Sequence, residues 1–131
     1  MNEQQPVIVA GTRTPFLDSA GLYADMMSYE LGAEALRGVL ERSGVPAADI
    51  ELVIMGTVLH EVETTNVARE AMLAAGMASR TPAYTVAMAG ISPNVGVMNL
   101  CDQIRLGRLK LGIASGTENF SDVPVRLGQG I

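Results

Sequence analysis

The sequence predicts an α/β domain with a mostly parallel sheet and helices that cross over between successive strands. Short apolar runs, continuous rather than alternating, are separated by longer stretches of helical periodicity along the 131-residue chain. Turn residues divide these segments at regular intervals, and no internal repeat or low-complexity linker interrupts them. Alternation of this kind favours parallel pairing with right-handed connections.

The first two predicted elements are a strand at Val7 to Gly11 and a helix that Ser28 can cap. The strand is a compact β-branched run, closed by a turn at Thr14-Pro15. The helix is expected to run to about Arg42, because an apolar stripe recurs along it and Gly44 is suited to end it.

A second strand and a second helix follow. Leu52 to Met55 is continuously apolar, as in a strand that is covered on both faces. Thr65 or Asn66 can cap the next helix, which is expected to run through Ala75. The turn at Thr81-Pro82 then leads into the last part of the chain.

The last part is predicted to contain a third strand, a third helix and a fourth strand. Ala83 to Met88 is the third strand. Ser92 can cap the helix, with Pro93 at its first position, and the helix is expected to reach about Leu106. Leu111 to Ala114 is the fourth strand, and the chain after it is expected to be loop-like.

Composition and motifs exclude several classes of function. A net charge of -5 without a basic cluster argues against nucleic-acid binding. No apolar stretch approaches the ~20 residues of a membrane helix, and the start MNEQQP lacks the pattern of a signal peptide, so a cytoplasmic location is expected. The segment GTRTPF lacks the G-x-G-x-x-G spacing of dinucleotide sites, and no Cys/His cluster is present to hold a metal.

His60 and Cys101 are the only residues of their kinds. His60, beside Glu61 and Glu63, could act as a general base, but no nucleophile can be placed next to it, which favours an exposed loop histidine. Cys101 lies in the middle of a predicted helix, away from the amides that stabilise a thiolate. An inert core residue is the favoured interpretation.

Two sets of residues also have structural interpretations. Acids near the first helix suit its solvent face and its dipole better than a catalytic carboxylate pair; they are Asp18, Asp25, Glu30 and Glu34. Methionines suit core packing better than an adaptable binding groove; they are Met26, Met27, Met55, Met72, Met77, Met88 and Met98.

Six stretches of the chain carry a resemblance to a known family. The opening βαβ unit of thiolases is similar to VIVAGTRTPF (7–16), ELGAEALRGVLERSGV (30–45) and VIMGTV (53–58). The thiolase (β) subunit of the fatty-acid-oxidation trifunctional enzyme is similar to HEVETTNVAREAMLAAG (60–76), TPAYTVAMAGIS (81–92) and SDVPVR (121–126). The resemblance spans nearly the whole chain. It implies that residues 1–131 are a partial thiolase N-terminal domain, about half of one, with an incomplete thiolase-like sheet.

The resemblance places Gly90 at the position of the family's nucleophile. In that family the third strand ends in a pattern like T-V-x-M-A-C-I-S, and here Thr85 to Ser92 reads TVAMAGIS. A thiolate at a helix N-terminus is stabilised by the dipole and attacks a carbonyl carbon, whereas Gly90 has no side chain to do so. Pro93 also removes a backbone N–H at the helix start. No catalytic residue is therefore expected in this chain.

Three residues are carried over as structural candidates near the site. Asn66 and Arg69 match the family's N-x-A-R-E segment, which lies near the dimer contact and the catalytic pocket. Ser92 follows the nucleophile position. The resemblance places the family's catalytic His, its second Cys and most of its CoA-binding surface in segments that follow residue 131 in the family.

The resemblance implies a context of fatty-acid β-oxidation, in which thiolases use CoA to cleave a 3-ketoacyl-CoA into acetyl-CoA and a shortened acyl-CoA. CoA thioesters would be substrates, and no further cofactor is expected. The leading hypothesis is a subunit that is non-catalytic alone and associates with itself or with a thiolase-family or trifunctional-enzyme partner. The alternatives are an acyl-CoA acyltransferase subunit completed by a second chain, or a gene fragment without function.

Overall fold

A computed structural model of the chain describes residues 4–121, 123–125 and 127–128. Over these residues the chain forms three α-helices, one short 3₁₀ turn and a three-stranded parallel sheet. In chain order the elements are α1 (Ser28–Ser43), the 3₁₀ turn (Ala47–Asp49), β1 (Leu52–Gly56), α2 (Val67–Ala74), β2 (Ala83–Val86), α3 (Ser92–Arg105) and β3 (Gly112–Gly116). The predicted α/β class with parallel pairing is confirmed. None of the helices in the described ranges is long and apolar enough to cross a membrane.

The sheet has the order β2-β1-β3, so β1 is its central strand. Successive side chains of a strand point to opposite faces. Val53 and Met55 accordingly pack in a core with α1 and α2, whereas Ile54 packs on the other face against Leu100 of α3. The side chains of Val53, Ile54 and Met55 are all fully buried. The continuous apolar run predicted a strand that is covered on both faces, and this is the strand that forms.

The segment from Val7 to Gly11 does not form the predicted first strand. Val7, Ile8 and Val9 are 76, 86 and 69 % exposed, and the chain then passes α1, where Thr12 lies against Gly38. A strand satisfies its backbone groups only beside another strand. Both sides of β1 are already occupied by β2 and β3, and no described residue pairs with this segment. The prediction of four strands was therefore wrong by one.

Two helix starts differ from the predictions by one residue. Met27, rather than Ser28, precedes the first turn of α1, and its N–H donates to the Glu30 carboxylate over 2.8 Å. Ile91 precedes α3, so Ser92 is its first residue and Pro93 its second. Serine hydroxyls that cap helices accept from amides of the first turn, whereas these two serines are inside the helices and buried.

Other ends were predicted correctly. Gly44 ends α1 in the left-handed conformation with φ 68°, and its N–H donates to the carbonyl of Leu40. Asn66, one of the two candidates, caps α2 by accepting from the N–H of Arg69 over 3.3 Å. The third strand is shorter than expected, because β1 ends where Gly56 pairs with Val86.

The start of α3 lies directly against the carboxyl ends of β1 and β3. A Cβ atom built on Gly56 would lie 2.6 Å from the backbone nitrogen of Pro93 and 2.7 Å from the Cβ of Ser92. A Cβ atom on Gly116 would lie 2.5 Å from the Cγ of Pro93. Only glycine permits this approach at both strand ends, and the approach brings the residues before α3 to the edge of the sheet.

We expect Gly56→Ala to lower the free energy of unfolding by about 1–3 kcal/mol, because overpacking displaces backbone and side chains of α3. Gly11→Ala is the matched control, since a Cβ atom there meets nothing within 4 Å. Its effect is expected to stay within about 0.5 kcal/mol. Chemical denaturation followed by circular dichroism measures both. Equal effects of the two substitutions would contradict the close packing.

Candidate functional site

A cleft of about 430 Å³ opens where β1 and β3 end and α3 begins. Its walls come from the segment Arg13–Phe16, from α1, from the residues after β1 and β3, and from the turn before α3. The carboxyl ends of parallel strands are the usual place for ligand sites in open α/β sheets. Gly90 lines this cleft, so the residue that the family resemblance singled out lies at the position that the fold also favours.

Gly90 lies in open space. A Cβ atom built on it would meet no atom within 4 Å, and its φ is outside the left-handed region that favours glycine. The residue before it, Ala89, has a φ of 49°, which is uncommon for a residue with a side chain. The backbone turns sharply at Ala89, and position 90 could accommodate a larger side chain.

Three of the hydroxyls that line the cleft, those of the buried Ser92 and Thr57 and of the half-buried Thr117, are engaged in hydrogen bonds. Ser92 Oγ accepts from the N–H of Met88 over 2.7 Å and donates to the carbonyl of Ala89 over 2.6 Å. Thr57 Oγ1 donates to the Glu118 carboxylate over 3.2 Å. Thr117 Oγ1 donates to the backbone carbonyl of Ser28 over 2.6 Å. These bonds fix the turn and the two strand exits, so none of the three hydroxyls is poised as a nucleophile.

The first two residues of α3 present no free amide to the cleft. The N–H of Ser92 donates to the carbonyl of Ala89 over 3.1 Å, and Pro93 has no N–H. The first two residues of the helix therefore offer no amide to a developing negative charge. An oxyanion site depends on donors of this kind.

Three consecutive side chains after β3 hold the walls of the cleft together. The Glu118 carboxylate accepts from the N–H of Val58 (2.8 Å) and of Leu59 (3.0 Å). The Asn119 side-chain amide donates to the carbonyls of Tyr23 and Met26, which precede α1. Together with Thr117, these residues form what we call the clasp, Thr117–Asn119. Sequence reasoning expected only a loop here, although a polar run directly after a strand at this edge was an available signal.

Asn66 lies at the outer edge of the sheet and not in the cleft. Its side-chain amide donates to the carbonyl of Ala83 over 3.0 Å, and its Oδ1 accepts from Thr85 Oγ1 over 2.8 Å. The carbonyls of Pro82 and Val86 face β1, where they accept from its backbone. Because alternate residues of a strand point their backbone groups to opposite sides, the carbonyl of Ala83 faces away from β1. Asn66 therefore covers part of the free edge of β2.

Arg69 anchors the turn between α2 and β2. Its guanidinium donates to the carbonyl of Thr81 over 2.9 Å and to that of Ser79 over 2.8 Å. It does not line the cleft at Gly90. Of the three structural candidates, only Ser92 reaches that cleft, whereas Asn66 binds β2 and Arg69 binds the turn before it.

His60 is exposed and does not line the cleft at Gly90; it lies beside a smaller cleft of about 130 Å³ that Glu61 and several threonines also line. One Glu61 oxygen accepts from the N–H of Ser28 over 2.6 Å, so this acid serves the start of α1. Cys101 is a free cysteine that is only partly buried in α3. Among residues 4–121, 123–125 and 127–128, no group of three or more His, Cys, Asp or Glu is arranged to hold a metal ion.

The acids and methionines have mixed roles. Glu30 binds the N–H before α1, and the exposed Glu34 pairs with Arg37. Met55, Met72 and Met77 are buried in the core, as expected. Met88 and Met98 are more than half exposed, so core packing does not account for them.

A family model described as "Thiolase, N-terminal domain" matches residues 6–131. Among curated proteins, the chain is 46% identical over 125 residues to the mitochondrial trifunctional enzyme subunit beta of Homo sapiens and 45% identical to that of Bos taurus. It is 39% identical over 120 residues to a probable 3-ketoacyl-CoA thiolase of Caenorhabditis elegans. These matches cover 92 to 95% of this chain but only 26 to 27% of the relatives.

Solved structures show the same fold. The acetyl-CoA acetyltransferase of Bacillus anthracis superimposes with a TM-score of 0.93 at 30% identity, covering 98% of this chain and 33% of that one. The Acat5 thiolase of Ascaris suum, solved in complex with coenzyme A, superimposes with a TM-score of 0.92 at 23% identity, over 98% of this chain and 34% of its own. At that identity, the second match supports the fold alone.

We expect a cysteine introduced by Gly90→Cys to react with iodoacetamide at least about tenfold faster than Cys101, because it would lie in the open cleft whereas Cys101 is partly buried within α3. Peptide mapping of the alkylated chain compares both thiols in one sample. Gly90→Ala, which leaves Cys101 as the only thiol, is the control. Equal or slower reaction at position 90 would mean that the cleft is closed to small reagents.

Proposed function

The chain belongs to the thiolase family, and we propose that it is a thiolase-like subunit of 3-ketoacyl-CoA metabolism that does not carry out thiolysis with a nucleophile of its own. One observation carries this proposal. Gly90 occupies the position that the resemblance assigns to the family's cysteine, in a cleft with room for a side chain. The fatty-acid β-oxidation context is supported by the trifunctional-enzyme and 3-ketoacyl-CoA thiolase relatives. CoA thioesters are the substrates proposed for this context, with no further cofactor.

The surroundings of Gly90 support the absence of a substitute nucleophile. Ser92 is 1 % exposed, and both hydrogen bonds of its hydroxyl close the turn before α3. Pro93 and the engaged N–H of Ser92 weaken the helix start as a site for negative charge. The scaffold of a thiolase site is thus present without its reactive group.

We expect the purified chain to gain no covalent acyl group when it is incubated with acetyl-CoA or a 3-ketoacyl-CoA. Intact-protein mass spectrometry measures this directly, and an active thiolase treated in parallel shows that the conditions permit acylation. A stable adduct on any side chain of this protein would refute the proposal, and peptide mapping would identify the residue responsible.

A second candidate function is that of an acyl-CoA acyltransferase subunit completed by another chain. The open space at Gly90 favours it, because a reactive group from a partner could enter the cleft there. Acyl transfer by a reconstituted pair that stops when this chain is removed would support this candidate over the first. If the two chains assemble but show no acyl transfer in this assay, the non-catalytic role is supported instead.

We propose that the partner, either a second copy or a thiolase-family chain, binds at the free edge of β2. The backbone groups of Thr85 face away from β1, and a free strand edge is a template for pairing. Exposed apolar side chains follow β2 along the chain, at Met88, Ile91 and Met98. Two copies related by a twofold axis would join their β2 edges antiparallel and continue the sheet.

We expect the chain to form a discrete oligomer that Thr85→Pro disrupts. Proline removes the outward N–H, whereas pairing with β1 uses the backbone of Tyr84 and Val86. Thr85→Val is the matched control, because it also loses the side-chain hydroxyl but keeps the N–H. Light scattering should give the parent mass for Thr85→Val and a smaller mass for Thr85→Pro. A monomeric parent, or an unchanged mass for Thr85→Pro, would contradict edge pairing.

We propose a cytoplasmic location for the chain. The mammalian relatives named above are mitochondrial proteins. Fractionation of source cells with an antibody against the chain decides between the two compartments.

A further inference from the structure

We propose that Glu118 is a positioning residue that sets the mouth of the cleft at Gly90 and so limits the size of the group that can reach the start of α3. The proposal deepens the proposed function, since it concerns which ligands enter that same site. It rests on the clasp, Thr117–Asn119, in which consecutive side chains leave β3 and bind segments on both sides of the cleft.

One wall of the cleft is held mainly by the Glu118 carboxylate, beside a longer bond from Thr57 Oγ1 to the carbonyl of Leu59. Oε2 accepts from the N–H of Val58, and Oε1 accepts from the N–H of Leu59 and from Thr57 Oγ1. Val58 lines the cleft and is 45 % exposed, so little packing holds its side chain in place. The turn after β1 is therefore held by hydrogen bonds to an anionic acceptor, which are stronger than bonds between neutral groups.

The opposite wall is held by the other two members of the clasp. Thr117 donates to the carbonyl of Ser28, the first residue of α1, and Asn119 donates to two carbonyls just before that helix. Leu31 and Ala35 of α1 line the cleft on this side. Because one short segment fixes both walls, a change at Glu118 releases the Val58 wall while the α1 wall stays in place.

The chemistry of the acceptor makes the role testable with a small substitution. A carboxylate presents oxygen to both backbone N–H donors, whereas a glutamine must turn its NH₂ group toward one of them. Glu118→Gln thus keeps the size of the side chain but breaks one of the two backbone bonds. Among the described residues, the groups that line the cleft are mainly apolar. Glu118 is the one anionic side chain among them and Arg13 the one cationic side chain.

The experiment uses Gly90→Cys as a reporter within the full chain. The introduced thiol is alkylated with iodoacetamide and with iodoacetanilide, which carry the same reactive group but differ by a phenyl ring. The ratio of the two rates reports the width of the mouth independently of the intrinsic reactivity of the thiol. Adding Glu118→Gln is expected to raise the bulky-to-small ratio about threefold or more, since the wall at Val58 opens.

Glu63→Gln is the matched control, because it removes the same charge from an exposed residue near that turn for which no side-chain hydrogen bond is seen. Its ratio is expected to equal that of the Gly90→Cys parent. Hydrogen exchange provides a second measurement. The amides of Val58 and Leu59 should exchange about tenfold faster or more in Glu118→Gln, with the buried amides of Val53 to Met55 unchanged.

A ratio and an exchange rate in Glu118→Gln that match the Glu63→Gln control would overturn the proposal. If Glu118→Gln does not fold, Val58→Ala decides, because it removes the wall side chain and leaves the backbone bonds. An unchanged ratio in Val58→Ala would then overturn the proposal, and a raised ratio would support it. Neither reagent involves an acyl-CoA or a partner chain, so this outcome is independent of the tests of acylation and of association.

Discussion

The start of α3 lies so close to the ends of β1 and β3 that a side chain at Gly56 or Gly116 would overlap with Pro93 or Ser92. This contact determines where the rest of the site lies. It brings the turn at Ala89 and Gly90 to the carboxyl edge of the sheet, and it aligns the exits of the two strands beside that turn. The clasp can reach both walls of the cleft only because β3 ends at this point.

Features set by local sequence were predicted, and features set by distant contacts were not. The apolar run of β1 and the cap at Asn66 depend on neighbouring residues, and both formed as expected. Val7 to Gly11 has the composition of a strand, but a strand also requires a neighbour, which local composition cannot supply. The predicted start of α1 was one residue too late: Met27 is the cap and Ser28 the first helical residue, whose N–H donates to Glu61, 33 residues away in the sequence.

The same distinction holds for the site. Gly90 was identified by comparing a short motif with a family pattern, yet the open space around it became visible only in three dimensions. The bonds of Glu118 span about sixty residues of sequence, with a separation of 59 for Leu59. No periodicity signals such a pair. Under the proposed function, the chain keeps the packing and polar contacts around this cleft and has glycine where the resemblance places the family's nucleophile.

The turn before α3 has further significance for how this position can change. Ala89 adopts the left-handed conformation at φ 49°, at a cost of about 1–3 kcal/mol for a residue with a side chain, whereas the neighbouring glycine has an ordinary φ. Alanine thus has the positive φ that glycine tolerates best, and the glycine beside it does not have one. No positive φ requires glycine at position 90, and a Cβ atom there would meet no atom within 4 Å. Steric and conformational requirements thus leave the identity of residue 90 open to substitution, and any selection on it must act through what its side chain does.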